Sequence, residues 1–195
     1  MAESVKKSLE GFSVEYAQQS EQRGTGHAAQ VGFDAIKKHS LNHVLVGYGD
    51  HMMFYKPERI RELIQIQKDQ AADISLLTTT YPSPDELAWS RIIRDENNNV
   101  SGIIEHKDAS EEEKKIQEIN PGFYCFSASF LEEFLPQITE SSVTHELYLT
   151  DLLQLASRNG KKIVALPVPF QEVGIGVNRP DELNKSQDLY KKVNK

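Results

Sequence analysis

The segment HVLVGYGD, residues 43–50, constrains the fold of this chain most. It opens with a continuous apolar run instead of an alternating one. A strand of that kind is buried on both faces, as in sheets covered by helices on either side. The run ends in Gly47, Tyr48 and Gly49 and delivers a carboxylate, Asp50, just past the strand. In open α/β sheets the carboxyl ends of the strands are where ligands bind. Asp50 thus has two readings, a ligand carboxylate or a turn and cap residue.

Helical and extended patterns alternate around this run. Residues 2–10 read as a short helix, and FSVEYA (12–17) as a strand. GHAAQVGFDAIKKH (26–39) sets Ala28, Val31, Ala35 and Ile36 at helical spacing. Residues 56–69 form a helix with Pro57 near its first position, and 73–80 form a strand. Residues 90–108 hold two strands joined by the turn formers of 95–99. Residues 122–127 are a strand and 128–138 a helix. The helix over 148–160 has Thr150 as its N-cap and Gly160 as its stop. A strand (161–170) and a closing helix (179–193) follow. This order predicts a single domain over 1–195, an α/β fold with a mostly parallel sheet and a small mixed or antiparallel region.

Composition narrows the classes of function. The chain has a net charge of -7. That balance disfavours nucleic acid as a partner, because a phosphate-tracking surface needs clustered Lys and Arg. No apolar run approaches the roughly 18 residues of a membrane span. The lone cysteine, Cys125, has no internal disulfide partner, so a reducing, cytoplasmic setting is expected. The mixed-sign run EEEKK (111–115) reads as a solvated helical face.

Gly24-x-Gly26-x-x-Ala29, between the strand at 12–17 and the helix that follows, fits the dinucleotide-binding fingerprint. The fingerprint expects an acid about 20 residues onward, roughly where Asp50 lies. It is short and common, and a tight strand-to-helix connection would look the same. On these residues alone both readings stand.

Five segments in register go further. QSEQRGTGHAAQ, VLVGYGD, GIIEHKDASEEEKKIQEINPG, ELYLTD and GVNRPDEL occur in this order. Together they resemble the uridyltransferase domain of the bacterial bifunctional N-acetylglucosamine-1-phosphate uridyltransferases and their sugar-1-phosphate nucleotidyltransferase relatives. The resemblance runs from about Ser4 to the last helix, and EHKDA followed by IQEIN is its most specific part. It implies a three-layer, Rossmann-like sheet of the nucleotide-diphospho-sugar transferase type. It also implies a reaction, UTP with N-acetylglucosamine-1-phosphate giving UDP-N-acetylglucosamine and pyrophosphate, with Mg²⁺ as cofactor. Gln19, Gly24 and Thr25 match positions that recognise the uracil base, so the loop resembles a base reader. Tyr48, Gly49 and Asp50 match the motif after the central strand, with Asp50 the expected Mg²⁺ ligand. Asn178, in GVN, is similar to the second metal ligand, and an amide oxygen suits a hard cation. Glu105 and Asn120 match sugar-binding positions. Tyr148 and Thr150 match residues lining the sugar-phosphate site.

The departures set further expectations. The family begins with a strand and a glycine-rich loop, L-A-A-G-x-G-T-R-M, followed by a lysine. These 195 residues contain no such segment, so no catalytic residue is assigned and weak or no turnover is expected of this chain by itself. Ser90 stands where a glycine usually meets the ligand, and Pro121 where the family often has threonine. HMMFY replaces a proline-containing segment after Asp50. No C-terminal acetyltransferase β-helix is expected within these 195 residues. A sheet without its first strand has an edge or gap that a partner chain, a dimer contact or a rearranged N-terminal helix would fill, so association in solution is expected. Two other functions fit parts of the pattern: a non-catalytic module that binds a sugar nucleotide, and a dinucleotide-binding oxidoreductase.

Overall fold

The computed structural model describes residues 2–50, 52–177 and 180–193. Among the described residues the α-helices are α1 (Ala2–Ser8), α2 (Thr25–Ile36), α3 (Pro57–Asp69), α4 (Ala128–Phe134), α5 (Asp151–Arg158) and α6 (Pro180–Val193). The strands are β1 (His43–Gly47), β2 (Ile74–Thr80), β3 (Arg91–Arg94), β4 (Val100–Ile104), β5 (Glu118–Ile119), β6 (Phe123–Ser127) and β7 (Ile163–Pro167).

The strands form one open sheet in the order β1-β6-β2-β5-β3-β4, with β7 pairing β2. β2 and β7 form a parallel ladder, whereas β6 is inserted antiparallel between β1 and β2. β3, β4 and β5 pair antiparallel and make the mixed region. Read through the ladders, β1, β2, β3 and β7 run one way and β4, β5 and β6 the other.

Strand periodicity assigns the two faces. Tyr124 and Phe126 of β6 join one apolar cluster with Ile74 and Leu76 of β2. Phe123 and Cys125 join the other with Leu77. Side chains of a strand alternate between faces, so the sheet is covered on both sides and the layers number three. α2, α4 and α5 supply Phe33, Phe130, Leu131, Leu152 and Leu153 to the first face. α3 supplies Leu63 to the second. β2 is buried at every residue but its last, which explains why its sequence holds only apolar, serine and threonine residues and no charge. The rings of Tyr124, Phe126, Phe130 and Phe134 stack in sequence at 5.4, 6.2 and 4.7 Å between centroids, tying β6 to α4. Cys125 is buried and free, and burial pushes its thiol up to about 11, so it is an inert core residue.

One expected element does not form. FSVEYA at 12–17 pairs with no strand among the described residues. Phe12, Val14 and Tyr16 are 70%, 44% and 49% exposed. Alternation alone does not hold a strand; an edge to pair with and a face to bury are also required. β1, in turn, pairs with β6 on one side only among the described residues. Its central Leu45 is 42% exposed, so β1, an edge strand among the described residues, is not buried on both faces as its apolar run predicts. A groove of about 380 Å³ runs beside it, walled by Ala28, Ala29, Phe33 and Ile36 of α2 and by Val44 and Leu45.

Candidate functional site

The carboxyl end of β1, the start of β3, the end of β4 and the β5–β6 turn meet at one cleft of about 360 Å³. Thr25, Tyr48, Asp50, Ser90, Glu105, Asn120 and Tyr148 line it. These residues span most of the sequence, and the sheet order brings them together.

Glu105 is the hub. Just past β4, its Oε2 accepts a hydrogen bond from the Ser90 hydroxyl at 2.8 Å. Its Oε1 accepts one from the Thr150 hydroxyl at 2.7 Å. A carboxylate offers about four acceptor positions, so two remain for a ligand. Thr150 occupies the N-cap position of α5, as its sequence context predicts, but its side chain makes no cap bond. It points instead to Glu105, and is not itself part of the cleft wall.

Asn120 is braced on both sides of its amide. Its Nδ2 donates to the Tyr124 hydroxyl, and its Oδ1 accepts the Gly122 N–H at 3.0 Å. Gly122 has φ +77, and a Cβ there would lie 2.2 Å from the Tyr48 ring. The turn therefore requires glycine, and Tyr48 is seated directly on it. Burial, and then the charge of Glu105, pushes the Tyr48 phenol up to about 12, so it serves as a neutral donor. Tyr55 supports the same turn by donating to the Pro121 carbonyl at 2.9 Å.

The Gly24–Gly26 loop answers to its own chain. Gly24 has φ +106, and a Cβ there would sit 2.5 Å from the Leu147 carbonyl oxygen. The Gly26 N–H donates to that oxygen at 2.7 Å, and the Leu147 N–H donates to Arg23 at 2.8 Å. Thr25 Oγ1 accepts the Leu149 N–H at 3.0 Å. The glycines thus permit close approach to the Leu147 backbone. Gln19 braces the loop, with Nε2 3.3 Å from the Gly24 carbonyl and 3.0 Å from His27 Nδ1. Thr25 and Tyr148 face the cleft on either side of this contact, whereas Gln19, Gly24 and Gly49 do not line it.

Asp50 lines the cleft just beyond β1. A single aspartate carboxylate fits Mg²⁺, which takes hard oxygen ligands and commonly binds through one or two carboxylates plus substrate phosphate and water. No group of three or more His, Cys, Asp or Glu side chains is poised for a metal among the described residues, so a donor set here would be of that sparse type. Asn178, the expected second ligand, lies outside the described residues.

The cleft also contains residues that motif spacing did not single out: Trp89, His106, Lys107 and Glu146. Lys107 is the ammonium group within a wall that also holds Asp50, Glu105 and Glu146. His106 and Lys107 sit inside EHKDA, so the signal for them was their adjacency to Glu105.

Comparison with known proteins follows the same lines. The family model for nucleotidyl transferases matches residues 1–171. The bifunctional protein GlmU of Caldicellulosiruptor saccharolyticus is 40% identical over 194 residues, 99% of this chain and 41% of that protein. The bifunctional protein GlmU of Alcanivorax borkumensis is 39% identical over 98% of this chain and 40% of that protein. The chain thus spans about two fifths of the length of these curated relatives. Among solved structures, a CMP:2-keto-3-deoxy-manno-octonic acid synthetase complexed with CTP superposes with a TM-score of 0.68 at 18% identity, covering 97% of this chain and 77% of that one. A UDP-glucose pyrophosphorylase complexed with UDP-glucose gives 0.67 at 16% identity, covering 98% and 72%. At such identities the superpositions establish the fold.

Proposed function

This chain belongs to the nucleotidyl transferase family, and from that premise we propose that its cleft binds a uridine sugar nucleotide and serves the transfer of UMP to N-acetylglucosamine-1-phosphate. The observation that carries this reading is Glu105, held between the Ser90 and Thr150 hydroxyls, in one cleft with Ser90 and Asp50. A fixed carboxylate with two acceptor positions left is suited to vicinal sugar hydroxyls. A second carboxylate at the strand end is suited to a cation that bridges phosphates.

In the proposed reaction a sugar-phosphate oxygen forms a bond to the α-phosphorus of UTP in line. The bond to the pyrophosphate oxygen breaks, and pyrophosphate leaves with its electron pair. Such transfer needs positioning and charge neutralisation rather than a covalent enzyme intermediate. Glu105 and Asn120 hold the sugar, Tyr48 and Tyr148 border it, and the Gln19–Thr25 loop reads the base. Asp50, with Asn178, would hold Mg²⁺, whose contribution is neutralisation of phosphate charge. Lys107 supplies a further positive charge at the cleft. The superposed proteins, one complexed with CTP and one with UDP-glucose, accord with this assignment.

The 195 residues include no glycine-rich L-A-A-G-x-G-T-R-M segment. Removing even one transition-state donor costs roughly 10²–10³ in rate, so the chain assayed alone binds a sugar nucleotide and turns over slowly if at all. Calorimetry with UDP-N-acetylglucosamine and Mg²⁺, run beside a pyrophosphate-release assay, tests this. Saturable binding with slow release is expected. Stabilisation by NAD(H) but not by UDP-N-acetylglucosamine would replace the reading with a dinucleotide-binding one. The open side of β1 and its apolar groove are proposed to receive a further strand, from a second copy or a complementing chain.

A further inference from the structure

Arg91, the first residue of β3, is 0% exposed and is the largest fully buried side chain among the described residues. A guanidinium keeps its charge in proteins and can only donate, so burying one requires acceptors on every side. Here they come from two separate segments. Nη2 donates to the Pro84 carbonyl at 2.8 Å, and Nη1 donates to the Trp89 carbonyl. Nε donates to the Lys114 carbonyl at 3.1 Å. A carboxylate oxygen of Asp85 stands 3.9 Å away, on a side chain that is 71% exposed. Nη2 also lies 3.5 Å from His106 Nδ1.

The two segments tied together are 81–90 and 105–117, and they make one wall of the cleft. The first ends in Trp89 and Ser90; the second begins with Glu105, His106 and Lys107. Each has only a single 3₁₀ turn of regular structure, Pro84–Glu86 and Glu113–Lys115, apart from β5 at the far end. The β3–β4 ladder pairs Arg91 with Ile104 and so sets Ser90 beside Glu105; the guanidinium ties the loops that continue beyond that pair.

We propose that Arg91 is the positioning residue of this site: from behind the wall, one guanidinium fixes the Trp89–Ser90 step against the Glu105–Lys107 step and orients the His106 ring. Because the guanidinium only donates, His106 Nδ1 is the acceptor, and the ring proton resides on Nε2. The groups around the ring agree. Burial, and then the positive charges of Arg91 and Lys114, hold His106 below its ordinary range, against the opposing charges of Asp85 and Glu111. His106 therefore presents a neutral ring with one fixed N–H donor to a cleft whose charged groups are Asp50, Glu105, Glu146 and Lys107. Arg91 itself touches no ligand; it acts through Ser90, Glu105 and His106. The ligand part of this inference rests on the sugar-nucleotide reading above.

The test uses the full chain as wild type, Arg91→Met and Arg91→Lys, with two readouts. Nitrogen-15 NMR of the His106 ring reports tautomer and titration; calorimetry reports UDP-N-acetylglucosamine affinity with Mg²⁺. Wild type is expected to carry the proton on Nε2 and to titrate below the usual value of about 6.5. In Arg91→Met the titration rises toward that value and affinity falls by about tenfold, the effect of losing one or two charge-assisted bonds. In Arg91→Lys the charge keeps the titration low, but the lost fork still weakens binding. A merely structural role would lower the melting temperature and leave the His106 titration where it was, which would overturn the proposal. So would wild-type affinity in both variants. If Arg91→Met does not fold, Arg91→Lys decides on the same grounds: weakened binding supports the clamp, and unchanged binding refutes it. If wild type binds no UDP-N-acetylglucosamine, the functional reading fails, while the His106 titration still decides the role of Arg91.

Discussion

The Thr150 hydroxyl donates to Glu105 Oε1 at 2.7 Å, joining the start of α5 to the end of β4 across 45 residues of sequence. Removing one partner leaves a part-buried carboxylate oxygen without its donor, at a cost of about 1–3 kcal/mol. Thr150→Val is therefore expected to lower the melting temperature by several degrees in thermal unfolding, and Thr150→Ser to restore most of it. An unchanged melting temperature for Thr150→Val would show that the bond does not hold in solution.

Two glycines in or beside α2 separate close packing from helix propensity. Gly24 has φ +106 and faces the Leu147 carbonyl, whereas nothing lies within 4 Å of a Cβ built on Gly32. Gly24→Ala is expected to destabilise by about 2 kcal/mol or more, from strain and contact together. Gly32→Ala is expected to stabilise by about 0.5–1 kcal/mol, because alanine favours the helix. Chemical denaturation of the two variants gives opposite signs if the loop docks on Leu147 as described.

Asp151 provides a pH signature. Burial first, then the charges of Glu105 and Asp108, push its carboxyl up from 3.8 to about 6. The folded state thus binds this proton more tightly than the unfolded chain does, so stability falls as pH rises from about 4 to about 6. Above that window the ionised group is a standing cost. Asp151→Asn is expected to melt higher than wild type at pH 7.5, with the gap closing near pH 4. A gap that persists unchanged at pH 4 would contradict the assignment.

The open edge of β1 predicts association. Leu45 is 42% exposed at the centre of that strand, beside the apolar groove. Light scattering should give a mass above that of one chain, and Leu45→Lys, a charge on the edge, should return it to a monomer. A monodisperse wild-type monomer at high concentration would exclude self-association through this edge.

The order of helices and strands was legible because their signals are local. HVLVGYGD, Pro57 and Gly160 each act within a few residues. The two-residue strand Glu118–Ile119 gave no periodic signal, being too short for one. The segment 12–17 gave a signal without a partner. For the site, the resemblance supplied Glu105, Asn120, Tyr148 and Thr150, while the spacing of residues supplied Asp50 alone. Arg91 was invisible in AWSRIIR, since its burial depends on carbonyls of Pro84, Trp89 and Lys114 that only the tertiary fold assembles.

The most direct test follows backbone amides by NMR while UDP-N-acetylglucosamine is added, then replaces Mg²⁺ with paramagnetic Mn²⁺. Shifts are expected at Thr25, Tyr48, Ser90, Glu105 and Asn120, with Mn²⁺ broadening centred on Tyr48–Asp50 and lost in Asp50→Asn. Shifts confined to another surface, or broadening that survives Asp50→Asn, would contradict the account.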